Sequence, residues 1–162
     1  MCGICGFIEK KSTDTLMSKE EILERMMTAL IHRGPDQGKS WISESAALGF
    51  RRLSIIDLEG SIQPMANETG DLVLVFNGEI YNVNELREQL KQNGIREFRG
   101  HSDTEVILHL YLLYGFEKMI GMLNGMFAIA LYDARKGKLY IARDRFGIIP
   151  VYVQTDGERL VW

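Results

Sequence analysis

The chain has 162 residues, of which 46% are hydrophobic and 25% charged, with a formal net charge of -3. That is the balance of an ordinary globular domain with room for one real core. It supplies no basic surface for nucleic acid and no apolar run long enough to span a membrane, and two cysteines three positions apart make no disulfide framework. The opening eight residues are too short for a signal-peptide core and are followed, not preceded, by the basic pair Lys10-Lys11, so a cytoplasmic location is expected.

In chain order, residues 4–8 read as a first strand. Ser18 and Glu21 have capping-box spacing, and behind them Ile22, Leu23, Met26, Met27, Leu30 and Ile31 recur at helical intervals. Strand-like runs follow at 40–42, 46–50 and 72–77. Asn82 with Glu85 repeats the box, Val83, Leu86 and Leu90 form an apolar stripe, and Gly94 offers a stop. Ser102 with Glu105 is a third box, leading Val106, Ile107, Leu110 and Leu113 and closed by Gly115; a short helical turn is predicted over 116–122. The C-terminal third is nearly all strand, at 126–133, 139–144, 151–154 and 159–162. Turn signals at Arg135-Lys136-Gly137 and Asp156-Gly157 make consecutive runs antiparallel hairpins.

The run from Met126 to Leu131 is apolar at every position, so that strand should be covered on both faces. An antiparallel strand needs this when a second sheet packs on one side and helices on the other. The expected fold is therefore α+β, a four-layer αββα sandwich of two antiparallel sheets between helices. No repeat, low-complexity tract or linker divides the chain, so 1–162 is expected to form one domain. Leu160-Val161-Trp162 stops inside a strand pattern, which predicts the N-terminal fragment of a longer protein.

Chemistry is concentrated at the start. Cys2 lies directly behind Met1 and is small enough for removal of the methionine to expose it. One residue then carries both a nucleophilic thiol and an α-amine able to take its proton. The alternative is an ordinary cysteine near a frayed end. An amide-cleaving thiol also needs an oxyanion hole, and Asn77-Gly78, after the strand at 72–77, offers a side-chain and a backbone N–H. Asn-Gly is equally a strong hairpin-turn dipeptide, although Glu79-Ile80-Tyr81-Asn82 and a helix follow rather than a second strand. For an amino-acid substrate, Arg51 or Arg52 offers a guanidinium for the α-carboxylate, and Glu79 and Asp103 offer carboxylates for the α-ammonium. Each taken singly is also readable as a surface charge, and Asp103 as a favourable first-turn carboxylate of a helix.

Several segments in order carry a family resemblance. They are Cys2-Gly3-Ile4, His32-Arg33-Gly34-Pro35-Asp36, Arg52-Leu53-Ser54-Ile55-Ile56-Asp57 and Phe76-Asn77-Gly78-Glu79-Ile80-Tyr81-Asn82. Ser102-Asp103-Thr104-Glu105, Gly125-Met126-Phe127-Ala128 and Arg143-Asp144-Arg145-Phe146-Gly147-Ile148-Ile149-Pro150 follow. Together they resemble the glutaminase domain of glutamine-hydrolysing asparagine synthetases, a class II glutamine amidotransferase with the N-terminal-nucleophile hydrolase fold. The resemblance implies that Cys2 attacks the glutamine side-chain amide and that Asn77 and Gly78 stabilise the oxyanion. Arg52, rather than Arg51, would grip the substrate carboxylate, Glu79 and Asp103 would hold the α-ammonium, and backbone groups of Leu53 and Ile55 would line the pocket.

It further implies that ammonia passes through a tunnel to an ATP-using synthetase domain, with aspartate the expected acceptor. ATP and Mg would belong to that domain, and the glutaminase domain would need neither cofactor nor metal. The implied partners are glutamine, the C-terminal synthetase domain of the same longer chain and a second copy in a homodimer, with no nucleic acid and no membrane. Related amidotransferases feeding amino sugars, purines or glutamate usually carry a His-x-Arg-Tyr/Trp type of segment where this chain has Arg51-Arg52-Leu53-Ser54. Ile149 stands where many members have lysine. Proteins like asparagine synthetases that amidate sugars, antibiotics or peptides keep the acceptor open.

Two competing readings remain. Cys2-x-x-Cys5 has the spacing of a redox pair or half a metal site, although it lies in a strand-like run and His32, His101 and His109 are isolated. Cys5 otherwise reads as a small core residue and His109 as a structural helix residue. A catalytically silent docking module is the third reading.

Overall fold

The computed structural model describes residues 2–10, 17–53 and 62–162. Nine strands and four helices occur among them. Strands β1 (Gly3–Glu9), β2 (Gln37–Ile42), β3 (Ala46–Arg52), β8 (Gln154–Thr155) and β9 (Arg159–Val161) form one antiparallel sheet in the order β2-β3-β1-β9-β8. Strands β4 (Met65–Ala66), β5 (Leu72–Ile80), β6 (Gly125–Asp133) and β7 (Lys138–Arg143) form a second, in the order β4-β5-β6-β7. Helix α1 (Lys19–Ala29) lies on the first sheet; α2 (Val83–Gln92), α3 (Asp103–Tyr114) and α4 (Phe116–Met122) cover the second.

The two-residue period of each strand sorts its side chains between layers. In β1, Cys5 and Phe7 turn outward with Ala47 of β3 to meet Leu23 and Met27 of α1. Cys2, Ile4 and Ile8 turn inward, into the layer where Leu48 and Phe50 meet Val73, Val75, Ala130 and Tyr132 of the second sheet. On the far side, Leu74, Phe76, Phe127, Ile129 and Leu131 pack against Leu86, Leu90, Ile107 and Leu110. Strand β6 is thus apolar on both faces because both are covered, and the four-layer αββα sandwich is the observed architecture.

Local signals account for much of the rest. The Ser18–Glu21 box is complete, with Glu21 N–H donating to Ser18 Oγ at 3.2 Å and Ser18 N–H to Glu21 Oε2 at 2.8 Å. Both hairpin signals are used, joining β6 to β7 and β8 to β9. The other two boxes do not form. Asn82 makes no cap hydrogen bond; its side chain instead donates to Met122 C=O at 3.0 Å and accepts from Asn124 N–H at 3.0 Å. Ser102 caps α3 through Thr104 N–H, but Glu105 is drawn to Arg99 N–H at 2.7 Å and Gly100 N–H at 3.1 Å. Helix α1 ends at Ala29, which leaves Ile31 exposed rather than on the buried stripe. Residues 151–153 form no strand, and Tyr152 and Val153 are exposed; only Gln154 and Thr155 pair, with β9. The short β4 has no counterpart in the sequence reading.

One buried carboxylate ties two strands of the first sheet to the helix that lies on it. Glu9, at the end of β1, contacts Lys19 Nζ at the start of α1 at 3.0 Å and Arg159 NH2 of β9 at 2.7 Å. Burial alone would raise its pKa, but the hydrogen bonds from Arg159 and Lys19 outweigh that and hold it below the ordinary 4.5. Replacing Glu9 by Gln should cost about 1.5–3 kcal/mol in urea unfolding at neutral pH, the usual range for a lost charge-assisted hydrogen bond. Because the folded pKa is depressed, this contribution is complete above 4.5 and is lost as pH falls through the folded value. The gap between the two proteins should therefore close in acid.

Candidate active site

The inward face of β1 carries Cys2 to the boundary between the two sheets. β1 and β3 pair Gly3 with Arg51 and Ile4 with Phe50, and the same register carried one residue further sets Cys2 beside Arg52. The thiol lies 3.9 Å from the Leu53 carbonyl oxygen, a long contact of the kind sulfur makes. Across the layer, Asn77 of β5 is buried, and with Cys2 it lines a cavity of about 550 Å³. Much of the remaining wall is apolar, with Ile4 of β1, Trp162 after β9, Leu30 after α1, Ala128 of β6, and Ile149 and Pro150, and Cys5, His32 and Arg33 line it too. Among the described residues the Asn77 carboxamide has no hydrogen-bond partner.

Strand β5 does not turn at Asn77-Gly78; it runs on to Ile80, paired with β6 throughout. The hairpin reading of this dipeptide is thereby excluded, and the reason the strand takes a glycine is steric. Gly78 has φ 154°, and a Cβ there would lie 2.1 Å from the Met126 carbonyl oxygen and 2.7 Å from Phe127 Cα. Its N–H also has a particular direction. Phe127, its partner across the ladder, turns its own N–H and C=O towards Asp144, so this pair exchanges no hydrogen bonds and the Gly78 N–H points to the opposite edge of β5. On that edge the flanking donors are taken: Phe76 N–H by Gln63 Oε1 at 2.6 Å and Ile80 N–H by Asp103 Oδ2 at 2.8 Å. Gly78, between them, is exposed and offers its N–H outward.

The charged candidates fall on two sides of this edge. Arg51 and Arg52 differ by one residue and therefore by one sheet face. The Arg51 guanidinium is committed to the loop after α1, donating from Nε to Gly34 C=O at 2.9 Å and from NH2 to Pro35 C=O at 3.4 Å. Arg52 is buried on the inward side, in a recess shared with Gln37, Lys39, Phe50 and Gln63 rather than in the cavity of Cys2 and Asn77. Glu79 follows Gly78 and is exposed. Asp103 begins α3 and is pinned to β5 by the Ile80 bond. Burial raises its pKa, the Ile80 N–H opposes the rise, the charge of Glu79 adds to it, and Arg87 opposes. Ile55 lies outside the described residues.

The structure sets Cys2 and Asn77 on one cavity and the Leu53 carbonyl 3.9 Å from the thiol; Gly78 follows Asn77 on the open edge of β5, with Glu79 next in sequence and Asp103 bonded to that edge at Ile80. Sequence reasoning passed over Gln63, which has no local pattern to reveal it, and the cavity walls. His32 and Arg33, quoted there only for resemblance, also line the cavity.

Cys5 faces the other way. Cys2 and Cys5 project to opposite sides of β1, and three residues of strand separate their Cα atoms by about 10 Å, too far for a disulfide. Gly49 stands opposite Cys5, and a Cβ at Gly49 would lie 3.0 Å from its sulfur. Burial pushes the Cys5 thiol up to about 12. The redox-pair reading is thus excluded by geometry, and no group of three or more His, Cys, Asp or Glu among the described residues is arranged to hold a metal ion. His109 sits within α3 with its ring edge-on to Phe98 and Nε2 3.9 Å from Glu105. No helix is long and apolar enough to cross a membrane among the described residues.

Iodoacetamide at pH 8 should therefore add a single label to the native protein, on Cys2. At that pH Cys5, buried and with its thiol pushed up to about 12, stays protonated and unreactive. Peptide mapping that finds Cys5 labelled at a comparable rate would contradict the placement.

Comparison with known proteins gives the family and the fold. The chain is 37% identical over 164 residues to asparagine synthetase [glutamine-hydrolyzing] 3 of Bacillus subtilis, covering 100% of this chain and 26% of that protein. It is 42% identical over 156 residues to asparagine synthetase B [glutamine-hydrolyzing] of Escherichia coli, covering 96% and 27%. The chain thus spans about a quarter of the length of these relatives. The fold is shared with the glutamine phosphoribosylpyrophosphate amidotransferase of B. subtilis, at TM-score 0.63 and 20% identity over 98% of this chain and 34% of that one. With residues 1–162 all matched by the model of the glutamine amidotransferase domain, the chain belongs to that family.

Proposed function

We propose that Cys2 hydrolyses the side-chain amide of glutamine at the boundary between the two sheets. The observation that carries this reading is the outward Gly78 N–H, flanked by two satisfied donors and adjoining the unpartnered Asn77 carboxamide, on the strand facing Cys2. With Met1 removed, the Cys2 amine takes the thiol proton, directly or through one water, as sulfur attacks the amide carbon. Asn77 Nδ2 and Gly78 N–H receive the oxyanion. The intermediate collapses with cleavage of the C–N bond while the ammonium of Cys2 returns the proton to the departing nitrogen. Ammonia leaves a glutamyl thioester, and water then attacks it, releasing glutamate and restoring the thiol.

Arg52 is assigned to the substrate α-carboxylate, Glu79 and Asp103 to its α-ammonium, and Leu53 and Ile55 to the backbone lining. Beyond Cys2 and Asn77, the cavity they line is walled by the apolar Ile4, Leu30, Ala128, Ile149 and Trp162 together with His32 and Arg33, and its apolar share suits neutral ammonia better than a zwitterion. It is read as the start of the exit path. The acceptor is assigned to the further three quarters of the length that the relatives possess. Their names favour aspartate and make asparagine the product; ATP and Mg are placed in that portion, and none in this domain. A C-terminal synthetase domain, a cytoplasmic location and a homodimer complete the reading.

Cys2→Ala should abolish glutamine hydrolysis, while Cys5→Ser retains most of it; equal losses would sink the assignment. Intact mass should show Met1 absent, and an electrophilic glutamine analogue should label Cys2. Asn77→Ala should lower kcat by about 10²–10³-fold, the usual effect of losing one oxyanion donor. Alkylation of Cys2 by iodoacetamide should be unchanged in that variant. Because Asp103 must be ionised to hold an ammonium and its pKa lies above the ordinary 3.8, KM for glutamine should rise in acid sooner than a solvated aspartate would dictate. Asp103→Asn should raise KM and flatten that dependence.

A further inference from the structure

Residues 144–150 form no regular element, yet Asp144 and Ile149 are buried and Phe146 and Ile148 project into solvent. What shapes this loop is a single carboxylate. Asp144 Oδ1 accepts from Phe146 N–H at 3.0 Å and Ile148 N–H at 3.0 Å; Oδ2 accepts from Ile149 N–H at 3.1 Å and Phe127 N–H at 3.2 Å. Its backbone closes the same knot: Asp144 N–H donates to Phe127 C=O at 2.8 Å, and Gly147, at φ 66°, donates to Asp144 C=O at 3.0 Å. Burial disfavours the charge, and the four N–H groups more than compensate, holding the carboxyl below its ordinary range.

The two ends of this knot are the two sides of the cavity. Ile149 and Pro150 form its wall. Phe127 pairs with Gly78, and the next residue, Ala128, pairs with Asn77 and lines the cavity itself. The Asp144 carboxylate therefore fixes the spacing between the outer wall and the strand level that presents the two oxyanion donors. We infer that Asp144 is a positioning residue for the cysteine site: it touches neither thiol nor substrate, and acts by holding Ile149 and Phe127 on one carboxylate. The inference rests on the glutaminase reading for its kinetic consequence but not for its geometry.

Asp144→Asn tests it. The amide keeps the shape but offers one acceptor oxygen, so two of the four N–H groups face an NH2 group instead. Expected is a fall in kcat of about tenfold to a hundredfold, the scale of a displaced near-attack geometry, with KM for glutamine within about threefold. The split is expected because Arg52, Glu79 and Asp103 lie outside the loop. A merely structural role would lower the unfolding temperature without this split, and an unchanged kcat in folded Asp144→Asn would overturn the inference. Should that variant not fold, Ile149→Ala decides: it should show the same split, and unaltered kcat would again overturn the proposal. If the wild type hydrolyses no glutamine, the glutaminase reading has failed, and Cys2 alkylation still tests the wall. Asp144→Asn should raise the rate with N-ethylmaleimide relative to that with iodoacetamide, and an unchanged ratio would refute the positioning role.

Discussion

The site depends on an unfilled stretch of sheet edge. β4 pairs with β5 only at Leu74 and Val73, so from Phe76 to Ile80 the outer edge of β5 has no strand beside it among the described residues. Edge N–H groups left in the interior cost about 1–3 kcal/mol each, so a folded chain must supply acceptors for them or expose them. Here it does both. Gln63 and Asp103 reach in from distant positions to satisfy Phe76 and Ile80, while Gly78 is left in contact with solvent. A donor that only water satisfies in the free protein is ready for an anion without breaking any protein hydrogen bond. In the proposed reaction, that economy is what lets this strand edge serve as the oxyanion hole.

The pleat of the first sheet makes the complementary arrangement. A one-residue slip of β1 against β3 would turn Cys2 towards α1 and bring Cys5 to the centre, because strand side chains alternate between faces. The register is held by what fits on each face. Gly49 leaves space for Cys5 beneath Met27 and Leu23, and Gly6 accommodates the Trp162 ring, whose atoms would lie 2.4 Å from any Cβ there. Arg51 and Arg52 are sorted by the same alternation, one to clamp the loop at Gly34 and Pro35 and the other inward. Side-chain chemistry at this site is thus assigned by parity before any local contact is considered.

Parity and turn chemistry are local properties, and they were legible. The three long helices, both hairpins of the C-terminal third and the doubly covered β6 follow from periodicities within a dozen residues. The failures share a different origin. Asn82 and Glu105 stand where capping residues belong, but Met122 and Asn124 in one case, and the backbone at Arg99 and Gly100 in the other, compete for the same atoms. Asn77-Gly78 has the composition of a turn and the conformation of a strand because Met126 and Phe127 crowd it from across the ladder. Cys2, Asn77, Gly78 and Asp103 were nameable from residue type and order. Gln63 and the walls of the cavity were not, since their part comes only from what the fold places beside them.

In the proposed reading, the carboxylates near Gly78 favour a cationic amino group. Burial already disfavours the charge on Asp103, and the neighbouring Glu79 disfavours it further, so the empty arrangement carries an electrostatic penalty relieved only partly by Ile80 N–H and Arg87. An ammonium placed between the two carboxylates removes the like-charge part of that penalty and gains two charge-assisted hydrogen bonds. A ligand with the same side-chain amide but no α-ammonium would leave the repulsion in place. Asp103 is anchored to the same strand that offers the Gly78 donor, so in the proposed reaction recognition of the amino group and stabilisation of the oxyanion share one mechanical element.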